Sequence, residues 1–316
     1  MQVPFRVHPA WPPELLGGVW ETVSVEQVQA AQTGLTATVP RLSRHFVEEV
    51  CLPLSGWVAA LREPKPFVVA LGGPPGTGKS TLVQAVSRLL SELFGLSSAG
   101  FSLDDVYYTK AERLALARDV HPLLATRGVP GTHDLALAGN LLDRLNEATP
   151  DRSVLLPRFD KLGDDRAPPE DWIRVTHRPD VIFLDAWCWG RAAADPASLE
   201  RPLNEREAED DGDGSWRRYV AAQLAGPYRA FFRRAHAHVE LEAPSWETTL
   251  DWRVEQQLAL RGHGGTRPDQ ETRAQITHFL RLFERIARLP FATEPDLVLA
   301  LDERRELLRL TGAATR

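Results

Sequence analysis

Short apolar runs alternate with amphipathic stretches over most of the chain after residue 66. Each run is three to five residues long, as expected of strands that are buried on both faces of a parallel sheet. The runs cover residues 67–71, 99–103, 154–156, 181–184, 238–241 and 297–301. Strand patterns separated by helical patterns predict a doubly wound, mainly parallel α/β sheet with flanking helices. Ligands of such sheets bind beyond the carboxyl ends of the strands.

Helical patterns fill most of the intervals between the apolar runs. They cover residues 81–93, 134–145, 216–234, 246–261 and 269–288, and two more lie at residues 23–31 and 42–61. Residues 62–66 contain two prolines and are expected to form a linker. We therefore expect an N-terminal helical extension, residues 1–65, and an α/β domain, residues 66–316. The acidic stretch 205–213 is expected to be a solvated loop or a frayed helix end.

A phosphate-binding motif follows the first apolar run. Its residues fit the pattern GxxxxGK[ST], and the predicted nucleotide contacts are Gly73, Pro74, Pro75, Gly76, Thr77, Gly78, Lys79, Ser80 and Thr81. Glycines allow consecutive backbone N–H groups to curl around an anion, and the following helix directs its positive end at the phosphates. Lys79 is expected to reach the β- and γ-phosphates and Ser80 to hold Mg²⁺. The sequence therefore predicts binding of ATP and Mg²⁺.

Composition and charge exclude several other classes of protein. The 316 residues carry a formal net charge of −6, so no bulk field attracts the chain to nucleic acid or to an anionic membrane. Its two cysteines, Cys51 and Cys188, have no CxxC spacing, and we expect neither a disulfide framework nor a zinc site. No apolar run approaches the ~20 residues that a membrane span needs. We expect a cytoplasmic protein that has neither a nucleic-acid partner nor a membrane partner.

Acidic residues follow two of the apolar runs. Asp104 and Asp105 come after the second run, where a carboxylate can accept a proton from an attacking hydroxyl and can help to hold Mg²⁺. Asp104 is the expected catalytic base and metal ligand; the alternative is that either acid only caps a helix. Asp185 ends the fourth run, as in a Walker-B strand, and is expected to contact Mg²⁺ directly or through water. Trp187 and Trp189 are expected to pack locally, and stacking on the substrate is the alternative.

Two loops carry groups that suit a small acceptor with a carboxylate and hydroxyls. Arg127, His133 and Asp134 offer a fixed cation, an imidazole and a hydrogen-bond acceptor. The alternative for residues 132–134 is a helix cap. Arg158 and Lys161 would neutralise a carboxylate or the transferred phosphoryl group, and the alternative there is a solvated charged loop.

The last two helical patterns flank a glycine-rich turn at residues 262–265. Two helices on a flexible loop can close over the γ-phosphate of a bound nucleotide, so residues 246–288 are expected to form a lid. Arg253, Arg267 and Arg273 lie within it.

The segment Ser102-Leu103-Asp104-Asp105-Val106-Tyr107-Tyr108 resembles the strand-end motif of the P-loop kinases related to phosphoribulokinase, uridine kinase and pantothenate kinase. A closer resemblance is to D-glycerate 3-kinases, which usually have Phe where this chain has Val106. That family also has segments similar to residues 127–134, 157–161 and 251–253 of this chain. The related kinases usually have Glu-Gly where this chain has Asp185 and Ala186.

The resemblance implies a P-loop kinase fold and the reaction ATP + D-glycerate → ADP + phosphoglycerate, with the 3-hydroxyl as nucleophile. It implies catalytic roles for Lys79, Asp104 and Arg253, of which Arg253 would stabilise charge in the transition state. The implied substrate contacts are Tyr107, Arg127, His133, Asp134, Arg158 and Lys161. Two alternatives stay open: a kinase of another small hydroxylated metabolite, and a nucleotide-dependent regulatory protein that phosphorylates no metabolite.

Overall fold

A computed structural model describes Phe5, Trp11 and residues 18–39, 42–61, 65–260 and 270–312. The helices are α1 (Val25–Thr38), α2 (Arg44–Phe46 and Leu52–Ala60, joined by the π-helical Val47–Cys51), α3 (Lys79–Phe94), α4 (Lys110–Asp119), α5 (Leu135–Asn146), α6 (Glu205–Asp210), α7 (Ser215–Gln223 and Arg229–Phe232, joined by the π-helical Leu224–Tyr228), α8 (Trp246–Leu260) and α9 (Gln270–Ala287). The strands are β1 (Phe67–Gly72), β2 (Ser98–Ser102), β3 (Val154–Leu156), β4 (Phe159–Asp160), β5 (Asp165–Arg166), β6 (Ile173–Val175), β7 (Val181–Asp185), β8 (Ala237–Glu242), β9 (Leu297–Leu301) and β10 (Leu307–Gly312). Short 3₁₀ turns cover Gly18–Thr22, Leu103–Val106, Pro122–Ala125, Pro169–Asp171 and Pro196–Leu199.

The main sheet has six strands in the order β10-β9-β8-β1-β7-β2. All neighbouring pairs are parallel except β10 with β9. In register, Asp185 at the end of β7 lies between Leu71 of β1 and Ser102 of β2. The parallel pairing therefore brings the residues that follow β1, β2 and β7 to one edge of the sheet.

One face of the sheet is covered by α3 together with the N-terminal helices. Alternating β1 residues, Val69 and Leu71, belong to the same buried cluster as Leu35 of α1. Trp20 packs edge-on against the ring of Phe94 at the end of α3, with 5.0 Å between centroids. Arg88 of α3 also donates a hydrogen bond to the carbonyl of Gly34 at 3.0 Å. The N-terminal helices are thus continuous with the core on this side of the sheet.

The opposite face of the sheet is covered by α5, α7 and α9. Val68 and Ala70 of β1 and Ile182 and Leu184 of β7 are buried there, on the side of each strand that faces away from α3. The alternation of buried side chains between the two faces is what the apolar runs predict for strands covered on both sides.

The structure confirms the prediction of a doubly wound, mainly parallel sheet with flanking helices. Five strands differ from the prediction. No apolar run indicated β4, β5 or β6. β3 lies outside the main sheet and pairs antiparallel with β6, and β10, which no apolar run indicated, forms an antiparallel edge beside β9. Among the described residues, no helix has both the length and the apolar surface that a membrane span requires.

The expectation of a solvated loop or frayed helix end at residues 205–213 fails at two positions, although most of the segment is exposed. Glu207 of α6 is fully buried and accepts hydrogen bonds from Arg285 at 2.8 and 2.6 Å. Asp211 is also buried and pairs with Arg217 at 2.8 Å. The segment is ordered because two buried guanidinium groups compensate its carboxylates, and a buried charge needs such a partner.

Candidate active site

A cleft of about 2030 Å³ opens at the carboxyl edge of the main sheet. Its floor is formed by residues 75–80 of the P-loop together with the ends of β2 and β7, whereas Gly73 and Pro74 do not line it. The β4–β5 hairpin forms one wall, and α8 and α9 form another. The predicted site residues that line the cleft are Pro75, Gly76, Thr77, Gly78, Lys79, Ser80, Thr81, Asp104, Tyr107, Arg127, Arg158, Lys161, Asp185 and Arg253.

The P-loop has the open backbone that phosphate binding requires. Gly76 has a φ of +87°, and a Cβ atom there would lie 2.8 Å from the Cβ of Trp252. Only glycine allows this left-handed backbone at such a close contact with α8. The P-loop therefore touches the base of the predicted lid directly.

Lys79 lies at the first position of α3, and its ammonium group bonds to the P-loop itself. Nζ donates hydrogen bonds to the carbonyls of Gly73 at 2.6 Å and Pro74 at 3.1 Å. Burial lowers the pKa of Lys79, and the carboxylates of Asp185 and Asp104 oppose that effect. The cation is thus placed between the phosphate cradle and two acids, where it can pair with an incoming phosphate.

Two serine side chains from two other elements meet at Asp185. Ser102 donates a hydrogen bond to Asp185 Oδ1 at 2.7 Å, and Ser80 Oγ lies 3.4 Å from Asp185 Oδ2. Burial raises the pKa of Asp185, while the Lys79 ammonium opposes the shift. Two ligand oxygens on one Mg²⁺ lie about 3 Å apart, since each bond is about 2.1 Å long. The oxygens of Ser80 and Asp185 therefore fit a shared divalent cation, which would also compensate the buried carboxylate.

Asp104 is held through both of its carboxylate oxygens. Tyr107 donates to Oδ1 at 2.7 Å, and the Lys161 ammonium donates to Oδ2 at 2.9 Å. Burial alone would raise the pKa of Asp104, but the Lys161 charge and these two hydrogen bonds hold it well below its usual range. Asp104 is therefore ionised throughout the neutral pH range.

Asp105 takes the capping role that the sequence left open for either acid. Its side chain accepts the backbone N–H of Ser102 at 3.3 Å, which closes a capping box at the turn Leu103–Val106. Burial raises the pKa of Asp105 to about 6. Asp105 therefore stabilises the turn, whereas Asp104 faces Lys161 in the cleft.

Arg127 joins the acceptor side of the cleft to the β4–β5 hairpin. Its guanidinium forms an ion pair with Asp164 and donates a hydrogen bond to the carbonyl of Lys161 at 3.0 Å. The guanidinium carbon also lies 5.3 Å from the ring centroid of Phe159. Arg158 lies on the same wall and is exposed. The hairpin therefore brings Arg127, Arg158 and Lys161 to one side of Asp104, as an anionic acceptor would require.

Two predicted substrate contacts, His133 and Asp134, do not line the cleft. His133 is buried and stacks on the rear of the Tyr107 ring, with 4.4 Å between centroids. Asp134 is the N-cap of α5 and accepts the backbone N–H of Leu137 at 2.8 Å. The helix-cap alternative thus describes the position of Asp134, and His133 supports Tyr107 rather than facing the cleft.

Residues of the predicted lid line the cleft from α8 and α9. Arg253 lines the cleft and donates a hydrogen bond to Gln256 at 2.5 Å. Burial lowers the pKa of Arg253, and the carboxylate of Asp104 opposes the shift. Arg273 pairs with Asp251 across the two helices. Arg267 and the glycine-rich turn at residues 262–265 lie outside the described residues.

Trp187 and Trp189 pack as the sequence predicts. Both are buried; the indole N–H of Trp187 donates to the carbonyl of Gly128 at 2.8 Å, and its ring packs against Phe283. Trp189 packs against Phe232 of α7.

Three side chains of the site were not anticipated from the sequence. Ser102 orients Asp185, as described above, and Tyr228 bonds to His133. Arg305 donates a hydrogen bond to the carbonyl of Gly76 at 3.0 Å and lies over the ring of Trp252. A hydroxyl immediately before the acidic turn was a usable signal for Ser102. The positions of Tyr228 and Arg305 depend on contacts between distant segments, so no local pattern announces them.

Comparisons with known proteins agree with this geometry. No model of a protein family matches the chain. Two solved structures share its fold: D-glycerate 3-kinase from Cryptococcus neoformans, with a TM-score of 0.62, 22% identity and coverage of 90% of this chain and 98% of that chain, and the YGR205w protein, with a TM-score of 0.59, 22% identity and coverage of 88% and 97%.

A curated relative is similar in sequence over most of its own length. The uncharacterized kinase mug58 of Schizosaccharomyces pombe is 31% identical over 228 residues, which are 69% of this chain and 80% of that protein. The P-loop, the acids at the strand ends and this similarity lead to the same conclusion: the chain belongs to the family of P-loop kinases that includes mug58.

Proposed function

We propose that this P-loop kinase transfers the γ-phosphoryl group of ATP to a hydroxyl of a small hydroxy acid, with the 3-hydroxyl of D-glycerate as the preferred acceptor. The observation that carries the proposal is the pairing of Asp104 with Lys161 in the same cleft as Lys79 of the P-loop. A carboxylate and several cations around one phosphate cradle suit transfer to an anionic alcohol better than nucleotide binding alone.

The P-loop and Lys79 would hold the phosphates, and Ser80 and Asp185 would hold Mg²⁺. When bound, the ion would help to neutralise the negative charge of the phosphate groups. The acceptor hydroxyl would attack the γ-phosphorus in line, a new O–P bond would form, and the bond to the β-phosphate oxygen would break to release ADP. Asp104 would accept the hydroxyl proton on Oδ2 after Lys161 moves to the transferred group.

The low pKa of Asp104 is compatible with this role. In a loose transition state the attacking oxygen keeps its proton until late, so a carboxylate that orients the hydroxyl is more useful than a strong base. Displacement of Lys161 toward the phosphoryl group or the acceptor carboxylate would also raise the pKa of Asp104 as the proton arrives.

Acceptor recognition would rest on the cations of the β4–β5 hairpin and its neighbours. Arg127 and Arg158 would pair with the acceptor carboxylate, and Arg253 would stabilise the charge that develops on the transferred group. The shared fold with a D-glycerate 3-kinase supports this choice of acceptor, and the relationship to the uncharacterized kinase mug58 supports kinase activity.

The proposal is tested by ADP release from the full chain with ATP and Mg²⁺ and a panel of acceptors. The panel includes D-glycerate, L-glycerate, glycerol, pantothenate and uridine. We expect D-glycerate to give the highest kcat/KM and a product phosphorylated at the 3-position, as read by ³¹P and ¹³C NMR. Preference for glycerol or uridine would exclude an anionic acceptor. Hydrolysis that no acceptor stimulates would favour a regulatory ATPase.

A further inference from the structure

A row of three side chains connects Asp104 to the interior of the protein. Tyr107 donates to Asp104 Oδ1 at 2.7 Å. The ring of His133 stacks on the ring of Tyr107, with 4.4 Å between centroids and 27° between planes. His133 Nδ1 lies 2.5 Å from the hydroxyl of Tyr228. All three side chains are buried, with exposures of 4%, 2% and 0%.

The position of Tyr228 depends on an irregular segment of α7. Tyr228 is the last residue of the π-helical Leu224–Tyr228, which contains Pro227. A proline removes one helical hydrogen bond, and a π-helical turn changes the direction in which the following side chains project. The result is that the Tyr228 hydroxyl accepts the backbone N–H of Gly131 at 2.9 Å while it also contacts His133.

The hydrogen bonds define the state of His133. Because the Tyr228 hydroxyl accepts from Gly131, its own proton is free to point at Nδ1 of His133. Burial lowers the pKa of His133 to about 4, so the ring is neutral at physiological pH. A neutral ring whose Nδ1 accepts from Tyr228 carries its proton on Nε2, which is buried without a hydrogen-bond partner among the described residues. The Tyr228 contact therefore holds the ring at one end, and its face stacks on Tyr107.

Backbone hydrogen bonds nearby also fix the contact between His133 and Tyr107. The N–H of Tyr108 donates to Thr132 O at 2.9 Å, and the N–H of Asp134 donates to Val106 O at 2.8 Å. These bonds tie the loop that carries His133 to the turn that carries Tyr107. On the other side, the ring of Phe159 meets Tyr107 edge-on, with 5.2 Å between centroids. Tyr107 is therefore held between two rings, and it lines the cleft beside Asp104.

We propose that His133 and Tyr228 are positioning residues for Asp104: they lock the Tyr107 ring so that its hydroxyl occupies Oδ1 and leaves Oδ2 as the oxygen that receives the acceptor proton. This proposal rests on the proposed function of Asp104. Catalytic groups act efficiently only when held within about 0.5 Å of the productive geometry, which is the task that a buried hydrogen-bonded stack performs.

The first test is a double-mutant cycle on kcat. Tyr228→Phe keeps the ring of residue 228 and removes only the hydroxyl that orients His133. We expect kcat to fall about tenfold in Tyr228→Phe and in Tyr107→Phe, with an unchanged KM for ATP. A tenfold fall corresponds to the free energy that about one hydrogen bond contributes. The double variant should be no slower than Tyr107→Phe alone, because both changes release the same Asp104 oxygen.

Tyr219→Phe is the matched control. Its ring lies close to Gly131, as the Tyr228 hydroxyl does, but it is outside the row of three side chains. We expect wild-type kcat in Tyr219→Phe.

A pair of variants at residue 133 distinguishes the two contacts of the His133 ring. His133→Asn keeps an acceptor at the position of Nδ1 and His133→Phe keeps the stacked ring; each should lose part of kcat. Multiplicative losses in the Tyr107→Phe/Tyr228→Phe variant would overturn the proposal.

The second test needs no acceptor substrate. The ¹³C carboxyl resonance of Asp104, identified by its loss in Asp104→Asn, reports the hydrogen bond at Oδ1. It should move in the same direction in Tyr107→Phe and Tyr228→Phe and remain in place in Tyr219→Phe. A resonance that moves in Tyr107→Phe and stays in place in Tyr228→Phe refutes the positioning role. Full turnover in Asp104→Asn, by contrast, refutes the proposed function of Asp104.

Discussion

The proposed nucleotide half and the proposed acceptor half of the cleft are built in different ways. The nucleotide half is one continuous segment, residues 73–81, which runs from the end of β1 into the first turn of α3. In the proposed function it uses backbone N–H groups and glycines, and its main cation, Lys79, bonds to its own loop. The acceptor half collects Asp104, Arg127, Lys161 and Arg253 from separate segments. Local sequence is therefore sufficient for the first half, whereas the second half exists only in the folded chain.

The two halves also differ in their charge balance. Around Lys79, one cation faces several carboxylates. Bound phosphates would therefore be stabilised most when Mg²⁺ binds together with them. Around Asp104, the carboxylate forms an ion pair with Lys161, and a second anion that pairs with Lys161 would free Asp104 to accept a proton. Variants of each half should therefore alter different kinetic constants.

The largest effect is expected from Lys79→Ala, which removes the cation of the nucleotide half. We expect kcat/KM for ATP to fall by about 10³, because a charged group that contacts the transferred phosphate contributes several kcal/mol to transition-state stabilisation. ADP release and ATP binding by calorimetry provide the measurement. Lys110→Ala, a change on exposed α4, is the control. Wild-type ATP affinity and turnover in Lys79→Ala would contradict the proposed role of Lys79 in the nucleotide half.

Arg253→Ala should have the second largest effect, and it should distinguish the role of α8 from the role of the P-loop. A cation that acts only on transition-state charge affects kcat and leaves ground-state binding of ATP almost unchanged. We expect kcat to fall by about 10². Arg118→Ala, at an exposed position of α4, is the control. An equal loss of ATP affinity would assign Arg253 to the nucleotide half.

Arg127→Ala should raise the KM for the acceptor about tenfold and leave the KM for ATP unchanged. The guanidinium is expected to pair with the acceptor carboxylate, and a charge-assisted hydrogen bond contributes about 1.5–3 kcal/mol. Arg127→Lys retains the charge without the two-pronged geometry and should recover only part of the loss. A change confined to the KM for ATP would contradict the division of the cleft into two halves.

The same contrast explains which parts of the fold and of the site can be predicted from the sequence. The P-loop, β1 and α3 follow from local rules, because glycine spacing, an apolar run and a helical period specify them. The cap formed by Asp105 and the acid Asp185 also follow from their positions at strand ends. These elements require no knowledge of distant partners.

Elements with distant partners could not be predicted in the same way. Glu207 has the local pattern of a solvated helix, and its burial depends on Arg285, which lies on α9. β3 has the pattern of a sheet strand, but its partner is β6 in a separate ribbon. His133 has the chemistry of a substrate ligand, but Tyr228 holds it behind Tyr107. In each case a long-range contact outweighed the local pattern.

The smallest predicted effect concerns Asp105, which joins the local and the long-range parts of the site. Its carboxylate accepts the N–H of Ser102 beside it and the N–H of Phe159 on the β4–β5 hairpin at 3.4 Å. Burial raises its pKa to about 6, so folding favours the protonated form. The stabilising contribution of that proton is complete below the ordinary pKa of an aspartate, about 4, and is lost as the pH rises through 6.

Asp105→Asn replaces the buried carboxylate with a side chain that is neutral at every pH. The variant should therefore be more stable than the wild type at pH 8, by a free energy of unfolding on the order of 1 kcal/mol, and the gain should disappear by about pH 4. Thermal unfolding between pH 4 and 8 measures the difference, with exposed Asp151→Asn as the control. A gain that is the same at all pH values would mean that the amide hydrogen bonds, rather than the buried charge, determine the stability of this turn.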